Sequence, residues 1–385
     1  IYNYLSSRLG FASYKTGASF FILSRTLGAT ARLYLVVVIL QNTILTELGV
    51  PFWLTTVIIL AMIMLYTYEG GVKTIVWTDT LQTTCMLAGL VICVIYILNT
   101  MNISLGESLQ RMGEKGYSTI FFTDPDSRYF FVKQILAGAF ITVTMTGMDQ
   151  EMMQKNISVK TLPDAQKNVI TLSIIMLVVI LLFLVLGGLL YLYAEQVGVT
   201  ETGDKLFPAI AMNHMPPLVS VIFIIALISA LFPSADGAIT ALTSSFCIDI
   251  LGMQRNQRWP EARKKKIRQM VHITFAFVFF LFVMVFYWVN QPSMIGVILK
   301  VAGYTYGPLL GLFSFGILTK RQVNDKLVPY ICVSAPVICY VLDVFQKDIF
   351  GSFEIGLELL IINGALTFFG LMAVSKKKTA PGQTI

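Results

Sequence analysis

The chain has 385 residues, of which 56% are hydrophobic and 13% charged, with a mean hydropathy of +0.75; a soluble globular protein carries about 25% charged residues. Apolar runs of ~20 residues recur along it, each long enough to cross a ~30 Å hydrocarbon core, so a water-soluble enzyme, a secreted disulfide scaffold and a disordered chain are excluded. The net charge of +7 is no nucleic-acid footprint, because basic residues of membrane proteins gather in cytoplasmic loops.

Apolar runs read against turn signals predict an all-α polytopic membrane protein of about ten spans. They lie near 17–46, 51–68, 72–99, 129–153, 164–195, 217–250, 261–290, 293–318, 326–344 and 354–374. Several exceed what a bilayer needs, which implies tilt or extension beyond it. The 101–128 connection has mixed charge and a short helix around Ser104–Glu114, and the 196–216 connection carries Glu201, Asp204 and Lys205. The polar start at Ile1, without methionine, leads us to expect further chain upstream. Cys85, Cys93, Cys247, Cys332 and Cys339 all sit in apolar segments, as buried thiols do, and His214 with His272 cannot make a histidine metal cluster.

Alternating the spans from a cytoplasmic N-terminus places Arg8, Lys15, Lys73, Lys155, Lys160, Lys167, Arg255–Arg268, Lys320, Arg321, Lys326 and Lys376–Lys378 inside. Arg111, Lys115, Arg128, Lys133, Lys205 and Lys347 then fall outside, and the inside excess orients both ends of the chain to the cytoplasm of a cell membrane. The run Arg263-Lys264-Lys265-Lys266-Ile267-Arg268 reads as a topology-retaining loop or as a site for anionic lipid.

Ionisable residues at membrane depth cost ~2.5–3.5 kcal/mol each on insertion scales, so each needs a partner or a task. Arg25, Arg32, Asp79 and Asp236 stand in this position, with Lys300 nearer an interface. Arg25 and Arg32 lie two helical turns apart on one face. Snorkelling or pairing with a buried carboxylate accounts for Arg25, whereas Arg32, far into its span, cannot snorkel easily. The sixth span joins Ser229, Ser234, Asp236, Thr240, Thr243, Ser244 and Ser245 with Pro233. Small hydroxylated residues let helices pack closely. A proline also frees backbone oxygens that can coordinate a hard cation, as at the broken helices of transporters. Gly138 with Thr142–Gly147, and Gly303–Pro308, mark two more helices able to unwind or to pack closely.

The stretch Leu65-Tyr66-Thr67-Tyr68-Glu69-Gly70-Gly71-Val72-Lys73, followed by Trp77-Thr78-Asp79-Thr80-Leu81-Gln82, resembles the signature of the sodium:solute symporter family. Asp149-Gln150 with Gln154, Ala165-Gln166-Lys167, Ile248-Asp249-Ile250 and the opening Tyr4-Leu5 with Arg8-Leu9-Gly10 agree in order. The resemblance implies the inverted-repeat LeuT fold, entered after its second core helix. Residues 1–100 would then be core helices three to five of the first repeat, 129–318 the second repeat, and 319–385 peripheral helices with a basic tail.

The same resemblance implies Na+ as coupling ion, held at positions matching Ala230, Pro233 and Ser234. Pro233 stands where a hydroxyl is usual. Asp79 matches the aspartate that holds a second sodium in some members, and Gly237 stands where those members have serine. Asp79 is therefore either a sodium ligand or the partner of an arginine. Substrate positions of the sugar-carrying branch fall on Thr142, Met145, Met176 and Lys300 and lose their sugar-binding polarity. With Arg32 placed as sialic-acid carriers place an arginine, and Lys300 facing the same cavity, the implied substrate is an anionic organic solute. The expectation is a sodium symporter working by alternating access, with a membrane lipid surround and no nucleic-acid partner. A neutral sugar or amino-acid symporter, with Arg32 paired to Asp236, and a sensor module of the same fold are the rivals. An enzyme is disfavoured, because no nucleophile or carboxylate–histidine constellation shares one depth.

Overall fold

The computed structural model describes residues 1–255, 258–289 and 294–376, and the side chains at 66, 68–76, 231, 294 and 295 also lie outside that description. Most of the Tyr66–Lys73 signature and the tail lysines 377 and 378 therefore lie outside the described residues and side chains. In chain order the helices are α1 (Asn3–Arg8), α2 (Phe11–Leu40), α3 (Phe52–Met101), α4 (Leu105–Glu114), α5 (Phe131–Gly147), α6 (Gln150–Ile157) and α7 (Leu162–Val197). There follow α8 (Leu206–Asn213), α9 (Pro217–Ser245), α10 (Glu261–Val289), α11 (Met294–Leu318), α12 (Val328–Val344), α13 (Gln346–Phe350) and α14 (Leu359–Ala373). A two-residue antiparallel pairing joins Gln322–Val323 to Ser375–Lys376.

Local chemistry sets the ends. Ser104 caps α4 by accepting from the Glu107 amide, as the short-helix reading expects, and Thr161 caps α7 through the Asp164 amide with Pro163 in the first turn. Gly198 closes α7 in the left-handed region at φ 75°. Among the described residues seven helices are long and apolar enough to cross a membrane, and an eighth span is α5 with α6, bent by 63°. Phe52–Leu65 and Leu359–Ala373 are shorter apolar helices, so each expected span has a helix. The separation of the second and third spans is corrected, because 51–68 and 72–99 run together in the 50-residue α3. No proline stands between Phe52 and Met101, and a glycine pair weakens a helix by ~1 kcal/mol per residue without removing a donor. At 1.5 Å per residue α3 extends ~75 Å, more than twice a hydrocarbon core.

Two apolar cores meet on α2. On one side Leu33, Val37, Ile59, Ile63, Ile239, Leu242 and Phe279 join α2 to α3, α9 and α10. On the other Tyr2, Leu5, Phe21, Leu309 and Phe315 join it to α1 and α11, with α12 and α14 outside. A third core holds the far half of α3 against α7, α8 and the start of α9.

A reciprocal clasp ties α2 to α11. Arg8 donates to the carbonyls of Gly316 at 3.1 Å, Arg321 at 3.0 Å and Thr319, which close the C-terminus of α11. Asp325, just beyond, accepts from the Ala12 and Ser13 amides at 2.7 and 2.8 Å and caps α2. Gly10 sits at φ 146°, and a side chain there would fall 2.7 Å from an Asp325 carboxylate oxygen, so only glycine fits.

Candidate cation-lined transport site

The site grows from the break between α5 and α6. The run Thr142–Gly147 ends α5, and the chain turns by 63° before α6 begins at Gln150. At membrane depth the polar groups of such a break need partners inside the protein. Tyr2 donates its hydroxyl to the Met148 carbonyl at 2.8 Å. The Asp149 carboxylate accepts from the Glu151 and Met152 amides at 2.8 and 3.2 Å, so it is the cap of α6.

Charged side chains then lash α6 to two neighbours. Arg25 of α2 lies 3.5 Å from Asp149 and ion-pairs with Glu151. Lys155, one turn along α6, reaches Glu151 at 3.2 Å and Asp79 of α3 at 3.0 Å. Pairing is the outcome for Arg25, with both partners buried. Asp79 likewise has a cation beside it, a lysine of α6 where the expected partner is an arginine, and its other carboxylate oxygen is buried without a hydrogen bond among the described residues.

Arg32 lies differently. Its guanidinium folds back over Gly28, with Nη1 3.8 Å from where a Cβ would stand. It lines a cavity of about 10 Å³ with Ser24, Arg25, Met145, Ala302 and Tyr306, the room of about one water molecule. Among the described residues no carboxylate stands within ion-pair distance of Arg32. Asp79, Asp149 and Glu151 against Arg25, Lys155 and Arg32 make a formally balanced cluster.

The other expected substrate positions divide. Met145 lines the cavity beside Arg32. Lys300 does not: it is 58% exposed and pairs with Asp343 of α12 at 2.7 Å. The expectation that Lys300 faces the cavity with Arg32 is corrected, because Asp343 draws the ammonium to the outer side of α11. Thr142 is exposed and donates to the Gly138 carbonyl at 2.9 Å, and Met176 is 47% exposed on α7.

The expected sodium positions Ala230, Pro233 and Ser234 lie in α9, which continues through Pro233 without a break. Proline removes one donor, so the carbonyl left free of the helical ladder is that of Ser229, four residues earlier. Ser234 shares its face of α9 with Gly237 and Ser244. A Cβ at Gly237 would fall 2.7 Å from the Glu151 carboxyl carbon, and Gln154 donates to Ser244 at 3.0 Å, so α6 packs on this face. Beyond it opens a polar cavity of about 1070 Å³ between α6, α9 and α10, whose walls include Gln154, Thr240, Ser244, Lys264, Arg268 and His272. Glu151, Lys155 and Tyr306 escape a reading of the sequence. The only signal for the first two is that Arg25 and Asp79 need partners.

A helical membrane protein with a broken span and buried cations around a cavity has the make-up of a secondary transporter. Residues 4–326 match the sodium:solute symporter family, and the chain belongs to it. Sodium is the coupling ion. A sodium/sialic acid symporter of Proteus mirabilis (strain HI4320) is 22% identical over 95% of this chain and 74% of its own length. Human sodium/glucose cotransporter 4 is 23% identical over 71% of this chain, and mouse sodium-coupled monocarboxylate transporter 1 is 25% identical over 70%. The chain spans under half of these two, 44% and 45% of their lengths. A solved sodium-coupled sialic acid symporter, substrate-bound and outward-open, is similar in fold with a TM-score of 0.79 at 18% identity, covering 98% of this chain and 78% of that one.

Proposed function

We propose that the protein carries a small anionic organic solute together with sodium, and that the solute carboxylate binds Arg32. The observation that carries this is the contrast on one helix face: Arg25 has two carboxylates and Arg32, lining the cavity, has none within ion-pair distance among the described residues. A guanidinium buried without an anion is costly in a membrane, and a carboxylate matches its planar fork bidentately. Two of the relatives named above are described as carriers of acids, sialic acid and monocarboxylate, which supports the same class. Sodium is assigned to Ser234 and to the backbone oxygens around Ala230 and Pro233. Alternating access between the repeats at 1–100 and 129–318, with 319–385 peripheral, would release both into the large polar cavity, whose basic wall suits an anion.

The test is uptake into proteoliposomes under a sodium gradient. Carboxylated sugars or monocarboxylates compete and neutral hexoses do not. Arg32→Gln abolishes uptake, Arg32→Lys rescues poorly for lack of the fork, and Ser234→Ala raises the sodium concentration for half-maximal uptake severalfold. Competition by neutral hexoses alone would make Arg32 a structural residue.

A further inference from the structure

His272 of α10 is buried and lines the large polar cavity, apart from the groups around Arg25 and Arg32. We infer that His272 is a proton-binding site: it takes up a proton when an organic anion occupies that cavity, and it retains the anion when the cavity side of the membrane is acid. This rests on the anion-symport reading above and deepens it by adding a regulator of release.

The proton count around the ring carries it. Nε2 lies 3.0 Å from the Thr67 hydroxyl of α3, and Nδ1 lies 3.1 Å from the Thr243 hydroxyl of α9. Each hydroxyl also donates to the carbonyl one turn before it, Thr67 to Ile63 at 2.8 Å and Thr243 to Ile239 at 2.7 Å. A hydroxyl has a single proton, so in this arrangement both threonines offer the ring lone pairs, and both ring nitrogens must donate. Only the imidazolium does that. A neutral ring is accommodated too, when one threonine turns its proton from the carbonyl to the bare nitrogen and that carbonyl keeps its helical amide. The two protonation states thus differ by the rotation of one hydroxyl, with no helix displaced.

Charge decides between them. On α10 the cavity wall carries Glu261, Lys264, Lys265 and Arg268 ahead of His272, and Glu261 is paired with Lys264 at 2.8 Å. On α9 the buried Asp236 lies two turns before Thr243, and Cys247 follows one turn after it. Asp249, just beyond, is taken by Tyr14 and Ser245 at 2.9 and 2.7 Å. The core that joins α2 to α10 holds the apolar Phe275 and Phe279. Among the described residues no carboxylate stands within ion-pair distance of the ring. An imidazolium one turn from Arg268 is costly there without an anion, so the empty cavity favours the neutral ring. A carboxylate in this cavity of about 1070 Å³ supplies the missing charge and draws a proton onto the ring. The coupling is reciprocal, so the protonated ring in turn tightens the hold on the anion.

The test is sodium-coupled transport of radiolabelled sialic acid, and of lactate as a smaller acid, in oriented membrane vesicles with the pH set separately on the two faces. Both acids stay ionised across the imidazole range, about pH 7.5 to about pH 5.5. Acidifying the face on which Arg255–Arg268 lie is expected to lower the half-saturating concentration of the acid on that face severalfold, and acidifying the other face is not. His272→Gln, which keeps a donor and an acceptor but binds no proton, makes the profile flat. A flat profile in the unaltered protein, or an unchanged slope in a folded His272→Gln, overturns the inference while leaving anion symport intact. Where His272→Gln does not fold, the unaltered profile decides alone, because the other histidine of this chain, His214, precedes α9 at the end opposite Thr243. A slope then upholds the inference and a flat line overturns it. Carriage of neither acid overturns the anion-symport reading, and the inference with it.

Discussion

Arg25 and Arg32 show how one residue type takes two roles on one helix face. Arg25 is held by Asp149 and Glu151 at the α5–α6 break, so removing it leaves buried Asp149 without a cation and Glu151 with Lys155 alone. Breaking a buried pair by deleting one partner costs ~3–5 kcal/mol. Arg25→Met is expected to lower the thermal midpoint in detergent sharply and to reduce yield, whereas Arg32→Gln leaves the midpoint nearly unchanged while uptake is lost. Equal destabilisation by the two variants would show that Arg32 is structural as well. The need of Arg25 for a partner was legible from its depth in an apolar run. The partners were not, because Glu151 lies 126 residues along the chain and α6 is too short and polar to announce a buried carboxylate.

Helix existence was legible wherever an apolar run was long, because burial in lipid leaves few alternatives to a helix. Behaviour within a helix was not. The glycine- and threonine-rich end of α5 and the Gly303–Pro308 stretch of α11 carry similar signals, yet the first leads into a break and the second stays helical. The difference lies in the neighbour. Gly307 leaves room for Asn363, which donates to the Gly303 and Tyr304 carbonyls at 3.0 and 2.8 Å, and a Cβ at Gly311 would lie 2.7 Å from the Gly364 carbonyl. These glycines bring α11 onto α14, as small residues do between membrane helices. Gly311→Val is therefore expected to force the two helices apart at a cost of ~1–3 kcal/mol, seen as a lower thermal midpoint. Gly138→Ala, with nothing within 4 Å, should leave the midpoint unchanged. A similar contrast holds at α9, where Pro233 predicts a break and the packing of α2, α3 and α10 around Ile239 and Leu242 keeps the rod continuous.

At the scale of the whole molecule the charge sort predicts that both ends of the chain face the cytoplasm, an expectation that counts the two halves of α3 as separate crossings. Reporter fusions at Asn3 and Lys376 should both read as cytoplasmic, and one at Lys115 as external; the opposite pattern would reverse the orientation. The cavity beside Arg32 has room for about one water, so a solute enters only when its walls move apart. Two of those walls are α2 and α11, with Met145 of α5 completing the lining, and the clasp of Arg8 and Asp325 pins the two together at one end. From Ala12 to Arg32 is twenty residues, ~30 Å of helix at 1.5 Å per residue. Two rods joined at one end behave as tweezers: a tilt of about 10° over that length parts the free tips by ~5 Å and the pinned ends hardly at all. The clasp thus makes the opening one-sided, so that the pair alone can admit a solute from the face away from Arg8 and release on the near face must come through another element.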